Sequence, residues 1–174
     1  MKVSVISYSL TGNNEALAKS LAGALSAEHV RITERGRRNM GTIGFDMMLK
    51  WTPKVTVPAV RPEDSDLVVF VGPVWMGQVA SPFRACFKEL GPRLGKYAFV
   101  SVCGGADGPN PKLASELTVR LGKDPVALIE LPKASLLPPE PKPTRNDTMG
   151  YRISEAEVKL LTEKAVSGLK KVAV

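Results

Sequence analysis

Val3-Ser4-Val5-Ile6-Ser7-Tyr8-Ser9-Leu10-Thr11-Gly12-Asn13-Asn14-Glu15-Ala16-Leu17-Ala18-Lys19-Ser20-Leu21 is the stretch on which the fold turns. A β-branched, apolar run stops at Tyr8, a turn rich in hydroxyls and amides follows, and Leu17, Leu21, Ala24 and Leu25 then recur at i, i+4, i+7 and i+8. That succession predicts strand, turn and helix, with those apolar residues on one helical face. The turn thus lies at a helix N-terminus, where N–H groups lack intrahelical partners and the macrodipole presents roughly half a positive charge. A phosphate can bind there without lysine or arginine. Ser9, Thr11, Asn13 and Asn14 add side-chain donors around Leu10, and Gly12 lets the backbone approach a ligand oxygen. Taken alone, Thr11-Gly12-Asn13 reads better as a plain helix cap.

The rest of the chain repeats the strand–helix alternation. His29–Glu34 reads as a second strand, and Arg35, Arg37 and Arg38 lead from it into a helix whose stripe is Ile43, Met47 and Trp51, expected in the core. Pro53, Pro58 and Pro62 hold an extended connection. Residues 66–72 are apolar on both parities, the pattern of a strand covered on both faces. Ser81-Pro82 then predicts an N-cap and first helical residue, with Phe83, Cys86, Phe87 and Leu90 inward and Gly91 at the end. A strand over 97–102, a helix with Leu113, Leu117 and Leu121 inward, and a fifth strand over 126–131 follow. Ser154-Glu155-Ala156-Glu157 is a capping box opening a last helix striped by Val158, Leu161, Ala165 and Leu169. Before it, 133–152 carries Pro138, Pro139, Pro141 and Pro143 and reads as a structureless insert of roughly 20 residues. Five strands alternating with helices predict an α/β, doubly wound three-layer sandwich with a parallel sheet of order 2-1-3-4-5. Ligands of such sheets sit beyond the carboxyl ends of strands 1 and 3.

The 174 residues, 44% of them hydrophobic, fit a single domain with the 133–152 insert. No apolar run approaches the ~20 residues that cross a bilayer, and no charged-then-apolar leader opens the chain, so a cytoplasmic protein is expected. Cys86 and Cys103 are too few for a disulfide framework or metal site, and His29 is the single histidine. Twenty-four basic against seventeen acidic residues give a net charge of +7, without the nucleic-acid signatures that would make DNA or RNA the partner. A P-loop or dinucleotide fingerprint needs more glycines than Gly12, and a receiver domain needs acids where Ser9 and Thr11 stand.

In this frame Ser9-x-Thr11-Gly12-x-Asn14 resembles the T/S-x-T-G-x-T phosphate loop of the flavodoxin-like FMN proteins, with an amide in place of the last hydroxyl. Pro73-Val74-Trp75-Met76-Gly77 is similar to the P-x-W-x-G loop after strand 3 in short reductase-like members. Cys103-Gly104-Gly105 through Gly108 resembles their glycine-rich loop after strand 4. The resemblance implies FMN on this rim, with Trp75 on or beside its ring, the 76–78 backbone near N5, and the third loop along the other edge. Trp75 as a mere cover of the sheet edge is the competing reading.

The resemblance further implies an FMN-dependent oxidoreductase taking electrons from NADPH or NADH to a quinone or other small acceptor, the flavin carrying the chemistry so that no catalytic side chain is named. The alternative is a flavodoxin-type electron carrier serving a redox protein. A third reading is a domain that has lost FMN and serves as an interaction module. The sequence leaves a homodimer open. Arg31, Arg35, Arg37 and Arg38 are either a solvated basic face or a set that approaches the flavin rim and a dinucleotide's phosphates.

Overall fold

The computed structural model describes residues 1–34, 40–49, 51–57 and 60–172. Five strands, β1 (Val3–Ser7), β2 (Glu28–Arg31), β3 (Leu67–Val71), β4 (Tyr97–Cys103) and β5 (Ala127–Pro132), form an all-parallel sheet of order β2-β1-β3-β4-β5. Six α-helices are described: α1 (Asn13–Leu25), α2 (Met40–Met48), α3 (Pro82–Leu90), α4 (Leu113–Leu121), α5 (Arg145–Met149) and α6 (Glu155–Lys170). Among the described residues no helix is long and apolar enough to cross a membrane.

Strand alternation sorts the core into two layers. Register aligns Val5 with Val69 and Ala98, a row packed with Leu17, Leu21, Leu161, Ala165 and Leu169 of α1 and α6. One residue on, Ile6, Phe70 and Phe99 align and meet Phe83, Phe87, Leu113 and Leu117 of α3 and α4. The second layer is aromatic: Phe70 stands edge-on to Phe83, Phe87 and Tyr97 at centroid distances of 6.0, 5.0 and 6.1 Å. Each such ring buried in full contributes about 1.5–3 kcal/mol of transfer free energy, so both sheet faces hold the helices firmly. β1, β3 and β4 are thereby fixed side by side, with their following loops on one rim.

Several local expectations change. The predicted second strand is split: β2 ends at Arg31, and Thr33–Glu34 pairs antiparallel with Val55–Thr56 instead. The Val55–Thr56 strand of that ribbon lies within the predicted proline-rich connection, of which Pro58 is outside the described residues, as are Arg35, Arg37 and Arg38. Ile43 and Met47 are buried as predicted, but α2 stops at Met48 and Trp51 is 62% exposed, because the helical spacing no longer governs a residue beyond the helix end. In α1 the buried face is Leu17, Ala18, Leu21 and Ala22, with Ala24 outside it, since the close approach of α6 favours the small side chains. Ser81 is helical itself and its hydroxyl donates to Asp46 Oδ2 at 3.1 Å, so it does not cap α3. Residues 133–152 are not structureless: a 3-10 turn at Lys133–Leu136 and α5, opened by a Thr144–Asp147 capping box, lie within them. Short-range capping chemistry offset the prolines there.

Candidate functional site

The first loop rises from β1 into α1. The Gly12 N–H donates to Ser9 Oγ at 3.0 Å, Gly12 sits at φ 90°, and a Cβ placed on it would meet nothing within 4 Å. The first intrahelical bond is Ala16 N to Gly12 O at 2.9 Å. The N–H groups of Asn13, Asn14 and Glu15 therefore have no partner among the described residues, and no side chain caps them. Thr11 is half-buried with its hydroxyl equally without a partner. Open space above a left-handed glycine, unpaired N–H groups and a waiting hydroxyl make a cradle for an anion. Glu15, in the first turn, would repel one, but its carboxylate is neutralised by Lys19 at 3.1 Å and Arg31 at 2.7 Å.

Asn13 and Asn14 do something other than the sequence predicts for their amides. Asn14 clamps the backbone of Val102, donating to its carbonyl at 3.1 Å and accepting from its N–H at 2.8 Å. Asn13 donates to Tyr151 O at 2.8 Å and accepts from Ile153 N at 3.2 Å. Both are buried, and what they offer a ligand is their backbone N–H. The pair fastens the start of α1 to the end of β4 and to the segment entering α6.

The second loop is a hairpin, Val74–Trp75 against Gln78–Val79, whose central residues Met76 and Gly77 take φ 50° and 79° as a type I′ turn requires. Asn110 Nδ2 donates to Gly77 O at 2.6 Å and Glu116 accepts from Val79 N at 2.9 Å, so α4 and the residues before it hold the hairpin. Met76 at the tip is exposed, and Pro73, Val74 and Gly77 are half-buried. Trp75 is half-buried and stands edge-on to Tyr8, at 5.8 Å and 84°, so it packs against the root of the first loop. Sequence reading did not single out Arg84, which organises this side. Its guanidinium donates to the carbonyls of Asp46 and Trp51 at 3.0 and 2.9 Å and reaches Gln78 Oε1 at 3.4 Å. An amphipathic α3 with one arginine at a buried position was the available signal.

The third loop leaves β4 at Cys103. Gly105 takes φ 76°, and a Cβ there would lie 2.2 Å from that of Pro132, so only glycine fits beside the end of β5. Gly108 N donates to Gly105 O at 3.1 Å, and Ala134 N to Gly104 O at 3.0 Å. A Cβ on Gly104 would come within 3.2 Å of Thr148 Oγ1, which places α5 directly over this loop. Burial, and then Glu130, push the Cys103 thiol up to about 11. It stays protonated at neutral pH and is no nucleophile, which agrees with its reading as a neighbour of the loop.

Lys133, which the sequence placed in the insert, is 8% exposed, and its ammonium has no hydrogen bond or ion pair among the described residues. The three predicted loops thus leave adjacent parallel strands on one rim, at the switch point between β1 and β3.

A parallel five-stranded sheet in this order, with helices on both faces, is the flavodoxin-like fold. No family model and no curated protein matches the chain. Solved structures do. A flavoprotein of Lactobacillus acidophilus in complex with FMN is 18% identical over 74% of this chain and 92% of its own, with a TM-score of 0.65. A protein of Bacteroides eggerthii, described as a candidate flavoprotein, is 14% identical over 99% and 98%, with a TM-score of 0.68. An archaeal flavodoxin is 18% identical over the whole of both chains, with a TM-score of 0.51. At these identities the shared property is the fold.

Proposed function

We propose that the protein binds FMN on this rim and works as an oxidoreductase that passes electrons from NADPH or NADH to a quinone or other small acceptor. The observation that carries FMN binding is the loop at Gly12: the space beside this glycine is open, and among the described residues three N–H groups and the Thr11 hydroxyl at the N-terminus of a 13-residue helix have no partner. The fit is good, because the donors suit a phosphate and the adjoining carboxylate of Glu15 is already paired. When bound, FMN supplies hydride and single-electron chemistry.

The chain's own residues bind and orient. Ser9, Thr11 and the N–H groups of 13–15 would hold the phosphate, the 73–77 hairpin with Trp75 would line the ring, and Cys103, Gly104, Gly105 and Gly108 would line its other edge. The likeness to a flavoprotein that holds FMN supports the same reading. A carrier that hands electrons to a redox protein is the second reading, favoured by the full-length likeness to an archaeal flavodoxin.

The deciding experiment titrates purified protein with FMN and follows flavin absorption, then adds NADPH or NADH under argon. Binding with direct bleaching is expected. Binding without bleaching transfers the protein to the carrier reading, and no binding overturns both.

A further inference from the structure

The hairpin that follows β3 and the third loop that follows β4 are joined by one side chain. Asn110, half-buried where the third loop runs on towards α4, donates through Nδ2 to Gly77 O at 2.6 Å and accepts through Oδ1 from Lys112 N at 3.2 Å. Its own N–H donates to Glu130 Oε2 of β5 at 3.2 Å, and a carboxylate acceptor makes that bond charge-assisted. The hairpin, the third loop and β5 thus meet at one residue. The other attachments of the hairpin lie away from its tip: Glu116 accepts from Val79 N at 2.9 Å, and Arg120, paired with Glu116, reaches Gln78 Oε1 at 3.5 Å. Among the described residues no other side chain is hydrogen-bonded to the tip residues Met76 and Gly77.

We propose that Asn110 is a positioning residue: by fastening Gly77 to the segment after the third loop, it sets the gap between hairpin and loop in which the flavin ring is received, an inference that rests on the FMN reading above. Gly77 is the residue that needs holding, because it sits at φ 79° in an exposed turn and glycine has more backbone freedom to lose than any other residue. The amide lies against it closely, since a Cβ on Gly77 would be 3.8 Å from both Nδ2 and Oδ1 of Asn110. A gap already held in its binding geometry need not be ordered when the ring enters, and the cost of that ordering is what weakens a site built on a loose hairpin. Lys112 N at one end of the amide and Gly77 O at the other leave it a single orientation, with the donor towards the hairpin.

The test compares parent, Asn110→Asp and Asn110→Ala. Asn110→Asp keeps the shape, the bond to Glu130 and the acceptor for Lys112 N, and loses only the donor to Gly77 O. Asn110→Ala removes the whole amide and introduces no charge, which guards against the new carboxylate acting by repulsion alone. Each is titrated with FMN and with riboflavin, the absorption spectrum of the bound flavin is recorded, and amide exchange over 76–79 is followed without ligand. Both variants are expected to weaken FMN and riboflavin by the same factor, about tenfold, because the ring and not the phosphate is affected, to displace the bound-flavin spectrum, and to speed exchange in the hairpin. A merely structural role would lower Tm and leave affinity and spectrum at parent values, and that result overturns the inference while the FMN reading stands. Weakening of FMN without riboflavin overturns it too. A parent that binds neither flavin overturns the FMN reading and with it the ring as occupant of the gap; exchange then judges the brace by itself, and unchanged exchange in both variants overturns that as well.

Discussion

At the scale of single residues the site divides into groups left free for a ligand and groups spent on the fold. Thr11 and Gly12 are of the first kind. A hydrogen bond to a charged group is worth about 1.5–3 kcal/mol, so Thr11→Ala should raise the FMN dissociation constant roughly ten- to hundredfold. Gly12→Val should weaken binding at least as much, because its side chain enters the open space above a backbone at φ 90° that β-branched residues resist. Apoprotein titration measures both, and parent-like binding by the two variants would refute the phosphate assignment. Asn14 is of the second kind. Its removal strands the N–H and carbonyl of buried Val102, at about 1–3 kcal/mol for each unpaired group, so Asn14→Ala should lower the unfolding free energy by at least about 2 kcal/mol in urea. Unchanged stability would mean that the clamp is idle.

Among the elements, the hairpin 74–79 is the most informative. Trp75 touches both Tyr8 and the aromatic layer while remaining half-exposed toward the rim, so it serves packing and ligand together. Trp75→Ala should shift the bound-flavin spectrum and weaken FMN by about 1–3 kcal/mol, the range of aromatic stacking on bases. It should also cost the apoprotein the edge contact with Tyr8, about 0.5–1.5 kcal/mol. A large drop in apoprotein Tm with normal FMN affinity would leave Trp75 a cover of the sheet edge only. The capping boxes at Thr144 and Ser154 show why α5 and α6 start where they do, since each satisfies two N–H groups that would otherwise be orphaned.

For the molecule as a whole, acid should act in two stages. His29, bonded through Nε2 to Ser7 Oγ at 2.8 Å, has its pKa held below 6.5, chiefly by burial, with Glu15 opposing and Lys19 and Arg31 adding. The unfolded chain therefore takes up this proton first as pH falls. Its contribution to stability is complete above pH 6.5 and is lost as pH falls through the folded value. Hydrogen bonds hold Glu157, Asp147 and Glu63 below their ordinary values, with Arg93 adding to the last, so their contribution is lost only below about pH 4.5. Urea midpoints should decline as pH falls below 6.5 in the parent and decline less in His29→Gln. Parallel curves for the two would refute the assignment of this window to His29. The net charge of +7 gives the same molecule an attraction for anions that an acidic protein lacks.

The order of strands and helices, the two-layer core and the three rim loops were legible in the sequence, because period-2 and period-3.6 patterns, glycines and caps are local. Ile6, Phe70 and Phe99 face one way and Val5, Val69 and Ala98 the other simply because neighbours on a strand alternate. What tertiary structure alone decided is who meets whom across the sheet. Asn14 finds Val102 at a separation of 88 residues and Asn13 finds Tyr151 at 138, and each thereby exchanges a ligand-binding amide for a clamp. Lys133 became a buried residue beside the third loop, although the sequence places it in a structureless insert. A side chain's type announces the bonds it can make, but the register of parallel strands determines which partner lies within 3 Å. Burial, which sets the strength of a charge, follows only once the layers have closed.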